Sequence, residues 1–240
     1  MKLRALGTGN LFCRWPNIPA CWLIQTHDSN VLIGCPPQAP ARLEILGIPL
    51  NKIGMIVPLG ASNMDIGGLD EIGAVFADAA DKPYLACPQR LLDKVAERVS
   101  YIEGFQKRAV KKINITEEHI TEAINFIPNS NGTYGFQLEF ARIYCAGHTK
   151  VNPEFLSTFD CDLILHKEDP ELTELPVYLQ NKVWIYGYRS PTEGSDPLPM
   201  LFMPQSAFIF DSDRRDKIMV KERYIRENSK RVIGNDAHKP

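Results

Sequence analysis

Apolar residues in this chain fall in short, nearly continuous runs separated by turn-forming clusters. The runs at residues 2–6, 21–26, 30–34 and 54–58, and again at 123–128, 134–139, 141–145, 162–165 and 182–186, have strand length and are rich in Ile, Leu, Val and aromatic residues. Helical patterns lie between or after them at 40–47, 68–78 and 88–98; in the last, Leu91, Leu92, Val95 and Val99 recur on one helical face. Pattern alone predicts a mixed α/β fold, with two blocks of strands and helices beside them.

At 240 residues, with 44% hydrophobic and 23% charged side chains, the chain suits one large domain, placed at residues 1–210. The remaining 211–240 form a charged tail, expected to be helical in part. Its nine Lys or Arg outweigh six Asp or Glu, so the tail carries about +3 and the rest about −5. A solvated helix docked by Ile218 and Ile225 is the expectation there, and a local RNA or lipid contact beside Tyr224 is the alternative. A net charge of −2 and a sequence pI near 6.2 exclude a nucleic-acid footprint over the whole protein.

Cysteine usage and the apolar runs bear on location. Cys13, Cys21, Cys35, Cys87, Cys145 and Cys161 are dispersed, none in a Cys-x-x-Cys pair, and several sit in or beside apolar strands as free thiols would. The first residues lack a signal-peptide run, and no stretch nears the roughly 18 apolar residues of a membrane span. A cytoplasmic protein with no membrane association is therefore expected.

One segment is built like a site yet carries little chemistry: Ile56-Val57-Pro58-Leu59-Gly60-Ala61-Ser62-Asn63-Met64-Asp65-Ile66-Gly67-Gly68-Leu69. A buried strand runs into a turn, and Gly67-Gly68 lets a helix start close against it. This segment resembles the first metal motif of the metallo-β-lactamase superfamily, Thr-His-x-His-x-Asp-His followed by Gly-Gly-Leu. On that match Gly60, Ser62, Met64 and Asp65 stand at the His, His, Asp and His positions. Only Asp65 offers a good metal donor, since zinc is held by imidazole, thiolate or carboxylate at about 2.0 to 2.3 Å.

The resemblance extends in order along roughly residues 1–190. Leu6-Gly7-Thr8-Gly9-Asn10 looks like the opening turn of the ribonuclease Z and phosphodiesterase branch, and Gly34-Cys35-Pro36-Pro37-Gln38 lies where the family reads Asp-x-Gly. Pro83 to Leu91 is similar to the family's strand and turn before a helix. Asn129 stands near a family His, His148 in Gly147-His148-Thr149 replaces the metal-bridging Asp, and Gly187 after Val183-Trp184-Ile185-Tyr186 replaces the last His. Asp162 to Glu168 resembles the intervening Asp-Leu-x-Ile-x-Glu strand. The resemblance implies an αββα four-layer sandwich whose binuclear site has lost nearly every ligand.

A binuclear hydrolase relies on its metals to polarise the scissile group and to generate hydroxide near neutral pH. The expected function is accordingly that of a pseudoenzyme, binding a small anionic ligand or a protein partner at the strand-end cleft. Asp65, Asn129, His148, Lys150 and Arg189 are the candidate contacts, with Lys150 and Arg189 supplying positive charge. No cofactor is expected. The alternative is a metal-dependent hydrolase, phosphodiesterase or ribonuclease Z-like, with a remodelled zinc site using Asp65, His148 and one Cys, or with His148 as general base.

His166, at a strand end before Lys167-Glu168-Asp169, is expected at the surface or beside a site rather than as a ligand, and His27, His119 and His238 are expected to be exposed. No Gly-x-Ser-x-Gly elbow supports a serine nucleophile. The run Pro199-Met200-Leu201-Phe202-Met203-Pro204 reads as core, with a partner-binding surface as the alternative.

Overall fold

The computed structural model describes residues 2–9, 18–25, 29–117, 120–128, 134–138, 143–146, 150–158, 163–167, 169–180, 182–186, 201–202 and 209–211. Its strands begin with β1 (Lys2–Gly7), β2 (Cys21–Gln25), β3 (Asn30–Ile33), β4 (Ile53–Val57), β5 (Tyr84–Cys87) and β6 (Gln106–Ala109). They continue with β7 (Lys112–Glu117), β8 (Ile120–Pro128), β9 (Tyr134–Leu138), β10 (Ile143–Cys145), β11 (Leu163–Lys167), β12 (Val183–Tyr186), β13 (Leu201–Phe202) and β14 (Ile209–Asp211).

Among the described residues these strands form two seven-stranded sheets, in the orders β14-β1-β2-β3-β4-β5-β6 and β13-β12-β11-β10-β9-β8-β7. Each is antiparallel on one side and parallel on the other, with the parallel runs at β3 to β6 and at β10 to β13. Parallel strands need crossover connections, which here pass through the helices α1 (Ala39–Ile45), α2 (Asn63–Ile66), α3 (Leu69–Phe76) and α4 (Gln89–Ala96) in the first sheet. In the second they pass through α5 (Pro153–Thr158) and α6 (Val177–Gln180).

Side-chain parity explains the near-continuous apolar runs. In β2, Trp22 and Ile24 face the other sheet while Cys21 and Leu23 face the helices; in β11, Leu163 and Leu165 point inward and Ile164 outward. Strands covered on both faces must be apolar at successive positions. Leu43, Leu69, Ile72, Phe76, Leu91, Leu92 and Val95 cover the outer face of the first sheet, and Leu156, Leu172 and Leu179 that of the second. Helix, sheet, sheet and helix thus form the expected αββα arrangement.

The expected strands and helices recur with shifts of a few residues at their ends. Four strands, β6, β7, β13 and β14, are additional. The run around Leu201 contributes β13, pairing in parallel with β12, and β14 pairs with β1, so the sheets take in Asp211 at the start of the expected tail. Residues 212–240, including Ile218, Tyr224 and Ile225, lie outside the described residues.

Candidate functional site

Loops that leave the carboxyl ends of parallel strands are where α/β folds collect ligand-binding groups. Here the loops after β3 and β4 are laced together. Gly34 N–H donates to the Val57 carbonyl at 2.8 Å, Cys35 N–H to the Asp65 carbonyl at 2.7 Å, and Gly68 N–H to the Cys35 carbonyl at 2.9 Å. Gly34 has φ +71°, a left-handed conformation that a side chain would strain. The backbone of a site loop is therefore firmly held.

At the positions that the resemblance sets against the family's metal ligands stand Gly60, Ser62, Met64 and Asp65. Gly60 and Met64 are half-buried, Ser62 is exposed, and Asp65 is buried at 7% exposure. The Asp65 carboxylate is engaged within its own turn: Oδ2 accepts from Ser62 Oγ at 2.5 Å and from Ser62 N–H at 3.3 Å. This Ser-x-x-Asp exchange is a helix-start arrangement, and it turns the one acidic residue of the motif toward capping α2.

Beyond that loop, the space between the sheets is filled by side chains. Tyr186, the last residue of β12, meets Trp22 of β2 edge to face, with ring centroids 5.1 Å apart and planes at 88°. Both are buried, beside Val57, Leu59 and Cys145. Cys145 Sγ lies 3.9 Å from the Tyr186 hydroxyl, as a weak thiol contact. Burial, followed by Cys145 and then Asp65, holds the Tyr186 phenol well above its usual range, so it stays protonated. Trp22 Nε1 is buried without a hydrogen-bond partner among the described residues.

The cysteines expected in the core are there: Cys21, Cys35, Cys87 and Cys145 are buried free thiols. Burial, with Glu71 adding to it, pushes Cys35 up, and burial with Asp93 pushes Cys87 up to about 12. In this core the thiols are therefore protonated, as small apolar side chains would be. Among the described residues no group of three or more His, Cys, Asp or Glu is placed to hold a metal ion. Of the candidate contacts, Asp65 and exposed Lys150 are described; Asn129, His148 and Arg189 lie outside the described residues, as do Gly187, Cys13, Cys161, His27, His119 and His238.

His166 corrects the surface reading. It follows Ile164 at the same parity in β11 and is only 1% exposed, with Nδ1 2.7 Å from the Lys167 carbonyl, so Nδ1–H donates. Burial lowers its pKa from 6.5, against smaller upward effects of that carbonyl and Asp169. A folded-state value below the unfolded one means the unfolded chain binds more protons, so stability should fall as pH drops below the ordinary His value. Urea unfolding between about pH 7.5 and 5 should show that loss in the wild type and a flatter profile in His166→Asn. Equal profiles would show that His166 is not the group responsible.

Trp22 and Tyr186 are the residues that sequence reading missed here. The available signals were an aromatic residue inside an apolar strand and a tyrosine next to the position of a family ligand.

Known proteins resemble this arrangement. No protein-family model matches the chain. The chain is 26% identical over 224 residues to the anti-Pycsar protein Apyc1 of Saccharibacillus brassicae, covering 80% of this chain and 92% of that protein. Among solved structures, the metallo-β-lactamase fold protein YhfI of Bacillus subtilis superposes with a TM-score of 0.67 at 10% identity, covering 87% of this chain and 98% of YhfI. The short form of human tRNase Z superposes with a TM-score of 0.59 at 12% identity, covering 88% of this chain and 99% of that one. With the two-sheet sandwich and its strand order, these superpositions show that the chain has the metallo-β-lactamase fold.

Proposed function

We propose that this chain works by binding, with the strand-end cleft of its fold holding a small anionic ligand or a protein partner, and that it does not perform binuclear metal hydrolysis. The observation that supports this most is the loop after β4: its backbone is held, while its donor positions are Gly60, Ser62, Met64 and an Asp65 engaged by Ser62. Lys150 and Arg189 are proposed to supply charge to the ligand, the Arg as a bidentate donor to phosphate or carboxylate, with His148 and Asn129 as hydrogen-bonding groups. The relative named for opposing Pycsar suggests a similar opposing role for this chain.

That relative also favours a second reading, because a system can be opposed by destroying a molecule as well as by holding one. On it, the chain is a phosphodiesterase-like or ribonuclease Z-like hydrolase with a remodelled metal site that includes His148. Elemental analysis of protein purified without chelator, with His148→Ala alongside and hydrolysis of bis(p-nitrophenyl) phosphate measured on both, separates the two. The binding reading expects neither stoichiometric metal nor hydrolysis in either protein. Zinc, manganese or iron that disappears from the variant together with activity would overturn it.

A further inference from the structure

Strand β6 ends the first sheet, and among the described residues only β5 pairs with it. All of its residues, Gln106 to Ala109, are exposed. Two flanking hydrogen bonds set the direction of its backbone groups. Gln106 N–H donates to the Pro83 carbonyl at 2.9 Å and Val110 N–H to the Cys87 carbonyl at 3.1 Å, so the even-numbered residues turn their amides toward β5. Backbone groups alternate in direction along a strand, which leaves the N–H and C=O of Lys107 and Ala109 pointing away from the sheet.

Charge on this edge is one-sided. From Gln106 to Thr116 the sequence holds Lys107, Arg108, Lys111 and Lys112 and no acidic residue, although the whole chain is net negative. The four cations are exposed. No carboxylate among the described residues pairs with Lys107, Arg108 or Lys111; the Arg108 guanidinium is held over the Tyr84 ring, 4.5 Å from its centroid. After Val110 and Lys111 the chain enters β7, the outer edge of the second sheet, so both sheets end on this basic stretch.

We propose that β6 is a docking edge for an acidic, extended segment of a partner protein, which adds to the sheet as a further strand. Backbone pairing with Lys107 and Ala109 would supply affinity, and carboxylates at alternate positions, which share one face of the sheet, would select the partner through Lys107, with Lys111 just beyond the strand's end adding to the field. The same cations oppose other occupants. A second copy of this chain would set its own Lys107 and Arg108 against these, and like charges facing each other across a strand pair are unfavourable. A nucleic acid would answer the charge but has no use for outward amides.

The test uses the full chain and a fluorescent peptide alternating glutamate with valine, titrated by anisotropy near physiological salt. Saturable binding is expected, weakened at least about tenfold by Lys107→Glu and by Ala109→Pro. The proline removes an outward N–H while keeping every charge and the ladder to β5, as edge strands allow. Ala109→Val, which keeps the N–H, should bind like the wild type. A peptide of equal charge with proline at alternate positions should not bind the wild type, a result independent of how the variants fold. No binding of the first peptide, or equal binding to Ala109→Pro, overturns the proposal; polyuridylate held equally by wild type and Ala109→Pro, without peptide binding, would identify a charge-only nucleic-acid surface instead.

Discussion

Trp22→Ala is expected to cost about 3 to 5 kcal/mol of folding stability, read as a fall in the urea midpoint with little change in slope. Trp22 is fully buried in the layer between the two sheets, and its partner Tyr186 belongs to the opposite sheet. Truncation removes the indole's transfer free energy and leaves a cavity in a region whose neighbours, Val57, Leu59 and Cys145, are fixed on strands or on a loop laced to one. Domains of ordinary stability have about 5 to 15 kcal/mol in total, so the variant should be close to unfolding in mild denaturant.

Trp22→Phe separates packing from hydrogen bonding. Nε1 has no partner among the described residues, so the phenyl variant loses no bond to them and should cost far less than the alanine variant. Equal losses for the two would mean that the indole N–H is satisfied and contributes to folding. Because Trp22 and Tyr186 are buried side chains of the layer between the sheets, the proposed ligand would be met by groups on the surrounding loops rather than by this pair.

How much of this was legible in the sequence follows from what each feature depends on. Central strands and helices announced themselves because burial on both faces forces runs such as Trp22-Leu23-Ile24 and Val31-Leu32-Ile33, and burial on one face spaces Leu91, Leu92 and Val95. Strand β6 was silent: all its residues are exposed, so no apolar period exists to read. Strand β7 alternates, at Ile113 and Ile115, but its short run is flanked by Lys111-Lys112 and polar residues and lies outside the strands expected from the pattern. Asp65 was seen as a metal donor because the family match placed it at a ligand position; the Ser62-x-x-Asp65 spacing, a helix-start signal in its own right, pointed to its actual partner. His166 shares parity with Ile164 in a buried strand, which places it inside despite the charges that follow. The contact of Trp22 with Tyr186 joins distant segments, and no local pattern encodes it.

Gly68→Val is expected to destabilise the fold by about 3 kcal/mol or more, and to disturb the candidate site with it. Between α2 and α3 this residue leaves no room for a side chain: a Cβ built there would lie 2.6 Å from the Pro36 carbonyl, 2.9 Å from Pro40 Cδ and 3.0 Å from Cys35 Sγ. A carbonyl and a proline ring cannot swing aside as a flexible side chain would, so the loop after β3 and the start of α3 must separate. That separation strains the hydrogen bonds from Gly68 N–H to Cys35 and from Cys35 N–H to Asp65, which tie the two site loops together. Gly47 supplies the contrast. It sits at φ +68° with nothing within 4 Å of its would-be Cβ, so Gly47→Ala should cost only the backbone term of about 1 to 2 kcal/mol and leave ligand binding intact. Urea unfolding of both variants measures the difference. Comparable losses at the two glycines would show that the Gly67-Gly68 turn is not clamped against the loop after β3, and that the site's backbone is looser than the hydrogen bonds across it imply.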